Sequence, residues 1–291
     1  GDLTVTDGSD ADALGVDADQ GGDVLLSSAA NAAIEAIVQS DTGNITVVAN
    51  TDVTQTAAGD ILVQGGAGTI DVEAQTGSIT MADGAIAQTA DANIRYKAAQ
   101  NVAVGELLAG TGDAGVEATA GNITDADGGA GNDVTANELR LTAGGNIATG
   151  ADHIETTVDE IAAVAAGAAG LFVTNSQALT VAEVDTVIAQ RVQADGTTAN
   201  EADAANLSDA TTITNGGSIV LATAAGDLTV TDGGDADALG VDADQGGDVL
   251  LSSAANAAIE AIVQSNTGNI TVVANTDVTQ TAAGDILVQG G

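Results

Sequence analysis

The first 66 residues return almost unchanged at the end of the chain: 1–66 and 226–291 differ only at Ser9/Gly234 and Asp41/Asn266. The sequence thus reads as one complete tandem unit, 1–225, followed by the start of the next, 226–291, and as a segment of something longer. A large unit repeated almost identically is the signature of an array, in which each part buries its apolar surface against its neighbours. Arrays build length. This favours a fibre or stalk over a compact catalyst.

A shorter rhythm runs inside the unit. Gly, then Asp, Asn or Ser, then an aliphatic residue, a polar one and another apolar one recurs as GDLTV (1–5), GDVLL (22–26), GNITV (43–47), GDILV (59–63), GSITM (77–81) and GSIVL (217–221). Each reads as a short strand with alternating faces, opened by a turn residue. The pattern predicts that Leu3/Val5, Ile45/Val47, Ile61/Val63, Ile70/Val72, Ile79/Met81 and Leu139/Leu141 point inward, and that Thr4, Thr46, Asp71, Thr80 and Arg140 point outward. Gly and Asn are expected at corners that need left-handed backbone.

Anchors such as Ile45, Val53, Ile61, Ile70 and Ile79 are eight or nine residues apart, which leaves room for a strand and a turn but not for a crossover helix. Longer steps of 16, 18 and 21 between Leu3, Val24, Ile45, Ile61 and Ile79 give the coil. The expected fold is all-β: a parallel β-helix (β-solenoid) with about 16–24 residues per rung, right-handed by the usual rule for parallel connections. An antiparallel sandwich is the alternative; it would want hairpin dipeptides and two faces of different character.

Composition agrees. The chain is 44% hydrophobic but 1% aromatic, Tyr96 and Phe172 being the only aromatic residues, and it has no Pro and no Cys. A thin core of β-branched side chains needs no large aromatics, and strands that all donate to the next rung exclude Pro. Lack of Cys removes disulfides and thiolate metal sites.

Three stretches depart from the rhythm. Residues 7–23 form an Asp-dense loop anchored by Leu14 and Val16. Residues 193–216 are polar, with Leu207 and Ile213 as the only clear strand material. Residues 158–170, VDEIAAVAAGAAG, read as an Ala-filled rung, with a helical turn or two as the alternative.

GNITVVA (43–49), GDILVQGG (59–66), GSITMADGA (77–85) and ELRLTAGGNI (138–147) resemble the filamentous-haemagglutinin-type repeats of giant bacterial surface proteins. The resemblance implies a right-handed β-helix shaft, export to the cell surface, and a role in adhesion, cell contact or an extracellular coat. It carries over no binding residue.

The formal charge is −38, from 42 Asp and Glu against Arg95, Lys97, Arg140 and Arg191. Such a surface repels nucleic acid and anionic lipid, so neither is expected as a partner, and the longest apolar run, 161–173, is too short to cross a bilayer. The expected partners are adjacent repeats of the same protein, in a homopolymeric or laterally associated fibre.

Calcium is the one cofactor the residues point to. Asp7, Asp10, Asp12, Asp17, Asp19 and Asp23 lie in one loop and recur as Asp232, Asp235, Asp237, Asp242, Asp244 and Asp248. Hard oxygen ligands on a flexible loop suit Ca²⁺, although the spacing is not an EF-hand, and solvated turn aspartates are the plain alternative. GGAGND (128–133) matches the start of a calcium-binding nonapeptide, but Val134 falls one place early and Thr135 takes the apolar position.

No catalytic residue is assigned and no enzyme is expected. His153 is the lone histidine, and four basic and two aromatic residues are too few to furnish a sugar-cleaving groove. Arg95, Tyr96 and Lys97 form the one basic-aromatic cluster, placed either against an acidic neighbouring strand or with Tyr96 inside and both cations in solvent. Asn44, Asn122, Asn206 and Asn269 open N-x-[ST] sequons, and the turn role of Asn explains those in the GNIT motif without glycans. The function these features imply is a structural shaft segment of an extracellular filament at a microbial cell surface, with a calcium-dependent adhesin as the alternative.

Overall fold

A computed structural model of the chain describes residues 1–8, 12–129 and 131–290. They form stacked parallel strands, and each of two compact units is a β-solenoid of three ladders. The first unit comprises residues 1–121, 125–137 and 187–204; the second comprises 122–124, 138–186 and 205–291.

In the first unit one ladder stacks Leu3–Val5, Ala32–Ile34, Val53–Gln55, Ile79–Met81 and Val102–Val104. A second stacks Leu14–Ala18, Ile37–Ser40, Ile61–Val63, Ile86–Gln88, Glu106–Leu108 and Val134–Thr135. The third stacks Val24–Ser28, Ile45–Ala49, Ile70–Ala74, Ile94–Ala98 and Ala114–Ala118. Like residues meet across rungs: Ile45 pairs with Ile70 and Ile70 with Ile94, all buried. Each buried aliphatic side chain contributes roughly 1.5–3 kcal/mol.

The second unit repeats the plan with longer strands. Glu138–Ala143 pairs with Glu160–Ala165, so the Ala-rich stretch is a rung. The first half of Glu160–Ala165 is continued by Leu179–Val181 and the second half by Ala210–Thr212. Gly170–Asn175 is followed by Ser218–Thr223, Val249–Ser253 and Ile270–Ala274.

Many rungs fall within the expected 16–24 residues, such as Val24 to Ile45 (21), Ile70 to Ile94 (24) and Glu138 to Glu160 (22), and others run longer. Steps range from 19 (Ile154 to Val173) to 31 (Ala210 to Val241). Where residues 182–209 leave the coil, Leu179 meets Leu228, a step of 49. The short anchor spacings measured strand to strand around a turn of three strands, not turn to turn.

The Gly–Asp/Asn–aliphatic motif has a structural cause that runs between rungs. A Cβ on Gly43 would sit 2.4 Å from the carbonyl oxygen of Gly22, and one on Gly68 2.3 Å from that of Gly43. Gly43 and Gly68 are needed because successive rungs touch there, while the left-handed backbone expected at corners falls at glycines such as Gly21, Gly66 and Gly226, with φ of +87°, +73° and +78°. The next residue ties the rungs. Asp23 Oδ1 accepts the backbone N–H of Asn44 at 2.7 Å and its Nδ2 at 3.0 Å, and Asn44 Oδ1 accepts the N–H of Thr69 at 3.0 Å. A parallel column runs from Asp2 through Asn31 and Asp52 to Ser78. Gly43→Ala is therefore expected to cost about 1–3 kcal/mol through forced separation of the rungs, measured as a lower unfolding midpoint; an unchanged midpoint would contradict the contact.

Candidate functional site

The strongest concentration of chemistry lies on the outer face of the first unit. Thr46 and Asp71, predicted outward, and Arg95 are outward but buried, because an antiparallel hairpin, Ile188–Val192 with Thr198–Ala202, covers the ladder there. Its first strand donates the N–H of Val192 to Thr46 Oγ1 at 2.9 Å and that of Gln190 to Thr69 Oγ1 at 2.7 Å. Pairing places Thr46 beside Asp71, and Asp71 beside Arg95, so the hairpin closes over a row of polar residues.

Asp71 is wholly enclosed and is shared between two guanidinium groups. Its Oδ1 lies 2.7 Å from Arg95 Nη1 and its Oδ2 2.6 Å from Arg191 Nε. Arg191 also bonds Glu73, and Arg95 Nε reaches Asp203 at 3.2 Å. Burial by itself would lower the Arg95 pKa, but the charges of Asp71 and Asp203 outweigh it and hold it above the ordinary value. Arg191 is likewise raised, its bonds to Asp71 and Glu73 overcoming desolvation. Arg140, also predicted outward, is buried in the second unit and donates to the carbonyl of Ala205 at 2.6 Å. Three of the four basic residues thus hold the excursion that the sequence described only as a polar stretch.

Tyr96 points inward, as in the second of the two expected placements, its hydroxyl 3.0 Å from Gln55 Oε1, and burial raises its pKa. Lys97 pairs with Glu117 at 3.1 Å on the open part of the face. Of the two placements expected for this cluster, Arg95 follows the first, against acidic strand residues of its own chain, and does not lie in solvent.

The hairpin had a readable signal in Asp195-Gly196 between two strand-like runs. Gly196 has a φ of +81°, and Asp195 Oδ1 accepts the N–H and hydroxyl of Thr197 at 3.0 and 2.7 Å. Leu207 and Ile213, taken as the strand material, are peripheral: Leu207 makes an isolated antiparallel bridge to Val184, and Ile213 is exposed.

The loop aspartates disperse along the rungs. Asp12 Oδ1 accepts the N–H of Leu14, Asp17 Oδ1 accepts Gln39 Nε2, and Asp23 belongs to the corner column. Asp7 and Asp19 are exposed, and Asp10 lies outside the described residues. In the second copy Asp248 plays the part of Asp23, and Asp244 Oδ1 accepts Asn266 Nδ2 at 2.5 Å. Asp242 lies along the strand Leu239–Ala243, where burial raises its pKa. Asp235 and Asp237, with Asp232 nearby, instead converge on Asp209, a residue the sequence reading did not single out.

The remaining candidates have local roles. In 128–133, Ala130 lies outside the described residues, Asp133 is buried, and Val134 enters the ladder beside Leu107. His153 Nδ1 lies 2.7 Å from Thr174 Oγ1, with its ring 5.8 Å from that of Phe172; burial lowers its pKa against the opposing charge of Asp152. The sequon residues are engaged: Asn44 and Asn269 donate Nδ2 to the aspartate one rung away, Asn206 donates to Glu183 and Asp185, and Asn122 accepts the N–H of Asn146. An acidic hollow in the first unit is lined by Asp83, Glu106, Asp127 and Asp133, with Asn132 and three glycines. No helix among the described residues is long and apolar enough to cross a membrane.

No protein-family model, no curated protein and no solved structure matches this chain.

Proposed function

We propose that this chain is a shaft segment of a long, repetitive filament at a microbial cell surface, extended by adjacent copies of the same repeat. The observation that supports this most directly is the repeat boundary. At residues 225/226 the second unit passes from one repeat to the next without a linker. Ser218–Thr223 of the first repeat pairs in parallel with Val249–Ser253 of the second, and Ala210–Thr212 pairs with Leu239–Ala243. The second copy then reproduces the rungs of the first: Leu228 meets Ala257 as Leu3 meets Ala32, and the register shift at Leu14/Val16 recurs at Leu239/Val241. A coil whose end is also its beginning propagates by nearest-neighbour contacts alone.

The placement at the surface draws on the acidic, Cys-free composition and the likeness to haemagglutinin-type repeats. It is tested by labelling intact cells with antibodies raised against the 291-residue chain. Label distributed along surface filaments supports the reading, and label seen only after permeabilisation overturns it. A calcium-dependent adhesin is the second reading, favoured by the meeting of Asp209, Asp235 and Asp237.

A further inference from the structure

We infer that consecutive repeats are clamped together by a calcium ion bound between Asp209 of one repeat and Asp235 and Asp237 of the next. Asp209 immediately precedes the strand Ala210–Thr212, where the excursion at residues 182–209 rejoins the coil. Asp235 and Asp237 precede Leu239–Ala243, which belongs to the following copy. The two strands are parallel, with Ala210 opposite Val241, so the segments that lead into them lie side by side. One carboxylate oxygen from each of the three aspartates falls within 4.8 Å of the others. That is the separation of oxygens arranged around a calcium ion, which binds them at roughly 2.3–2.6 Å.

Charge crowding alone would not make a site, since acidic loops are common on this chain. The independent observation is Asp209 itself. Its side chain is only 4% exposed, and its Oδ1 is buried without any hydrogen-bond partner. Burying an ionised carboxylate oxygen unsatisfied is unfavourable unless a cation completes it. Burial together with the charges of Asp235 and Asp237 raises the Asp209 carboxyl pKa to about 7, against the lowering effect of the Gly233 backbone. A bound dication removes both penalties. Asp235 and Asp237 remain open to solvent, so water can fill the remaining positions of the roughly six to eight that calcium takes.

The site also separates loop residues that are equivalent in sequence. Asp242, Asp244 and Asp248 belong to the same Asp-rich stretch but lie along the rung, the last two paired with Asn266 and Asn269. They are outside the clamp. The clamp depends on the junction between repeats and not on where the filament resides, so surface labelling and calcium binding can fail independently.

The test uses the full chain, freed of metal and titrated with CaCl₂ by calorimetry in about 0.5 M NaCl, where diffuse counter-ion binding is screened. One saturable site is expected. Asp209→Asn, which keeps the shape and removes the charge, should weaken it by at least about tenfold, as should the double change Asp235→Asn/Asp237→Asn. Asp244→Asn should bind as the parent does. Calcium should raise the melting temperature of the parent and of D244N but not of D209N. Absence of a saturable site, or a D209N protein that binds and melts like the parent, would overturn the clamp.

Discussion

Asp71→Ala is expected to free the hairpin at residues 188–202 from the first unit, lowering the protection of its amides against hydrogen exchange by the equivalent of about 3–5 kcal/mol. Asp71 is fully buried between Arg95 and Arg191, bonded to both. Removing it leaves two cations facing each other under a cover that excludes water. Glu73 remains in reach of Arg191, and Asp203 of Arg95, so the loss falls on the centre of the network. The rungs beneath are tied by backbone pairing and aliphatic stacking and should keep their protection. Replacing Asp71, Arg95 and Arg191 together with Leu, Met and Met should restore only part of the loss: no two cations then face each other, but Asp203 and Glu73 give up their guanidinium partners. Unchanged exchange in Asp71→Ala would show that the hairpin is held without Asp71, by its contacts to Thr46 and Thr69 and by the remaining pairs Arg191–Glu73 and Arg95–Asp203.

Ile61→Asp is expected to cost about 4 kcal/mol or more, whereas Ile286→Asp, the same substitution in the same local sequence, should cost less than about 1 kcal/mol. Ile61 is wholly buried and has strands on both sides, Val38 and Ala87 being its partners. Ile286 pairs with Val263 on one side only and is 38% exposed. Sequence propensity is identical at the two positions, so the difference isolates the contribution of the covering rung. Chemical denaturation of the two variants checks it. Equal losses would mean that stability here is set by the local strand and not by stacking.

The part of the fold carried by backbone periodicity was legible in the sequence. Ile45, Ile61, Ile70 and Ile79 have the burial that a two-residue alternation assigns, because inward and outward positions on a strand are fixed by the pleat. The alternation fails where a second layer covers the outside. Thr46, Asp71 and Arg140 read as outward and are outward, yet they are buried by the excursion at residues 182–209. Nothing in the ladder sequence marks that cover, and its only local sign was the Asp195-Gly196 turn. The metal reading shows the same limit. Asp235 and Asp237 stood among the six aspartates named in the loop, but their partner Asp209 is distant in sequence and adjacent only because Ala210 pairs with Val241.

The most direct test of the central claim is cryo-electron microscopy of a chain carrying three consecutive 225-residue repeats. Parallel rungs spaced by roughly 4.8 Å are expected to continue without a break through both repeat junctions, with the number of rungs growing by the same increment for each repeat added. Separate particles joined by flexible links at the junctions would contradict it.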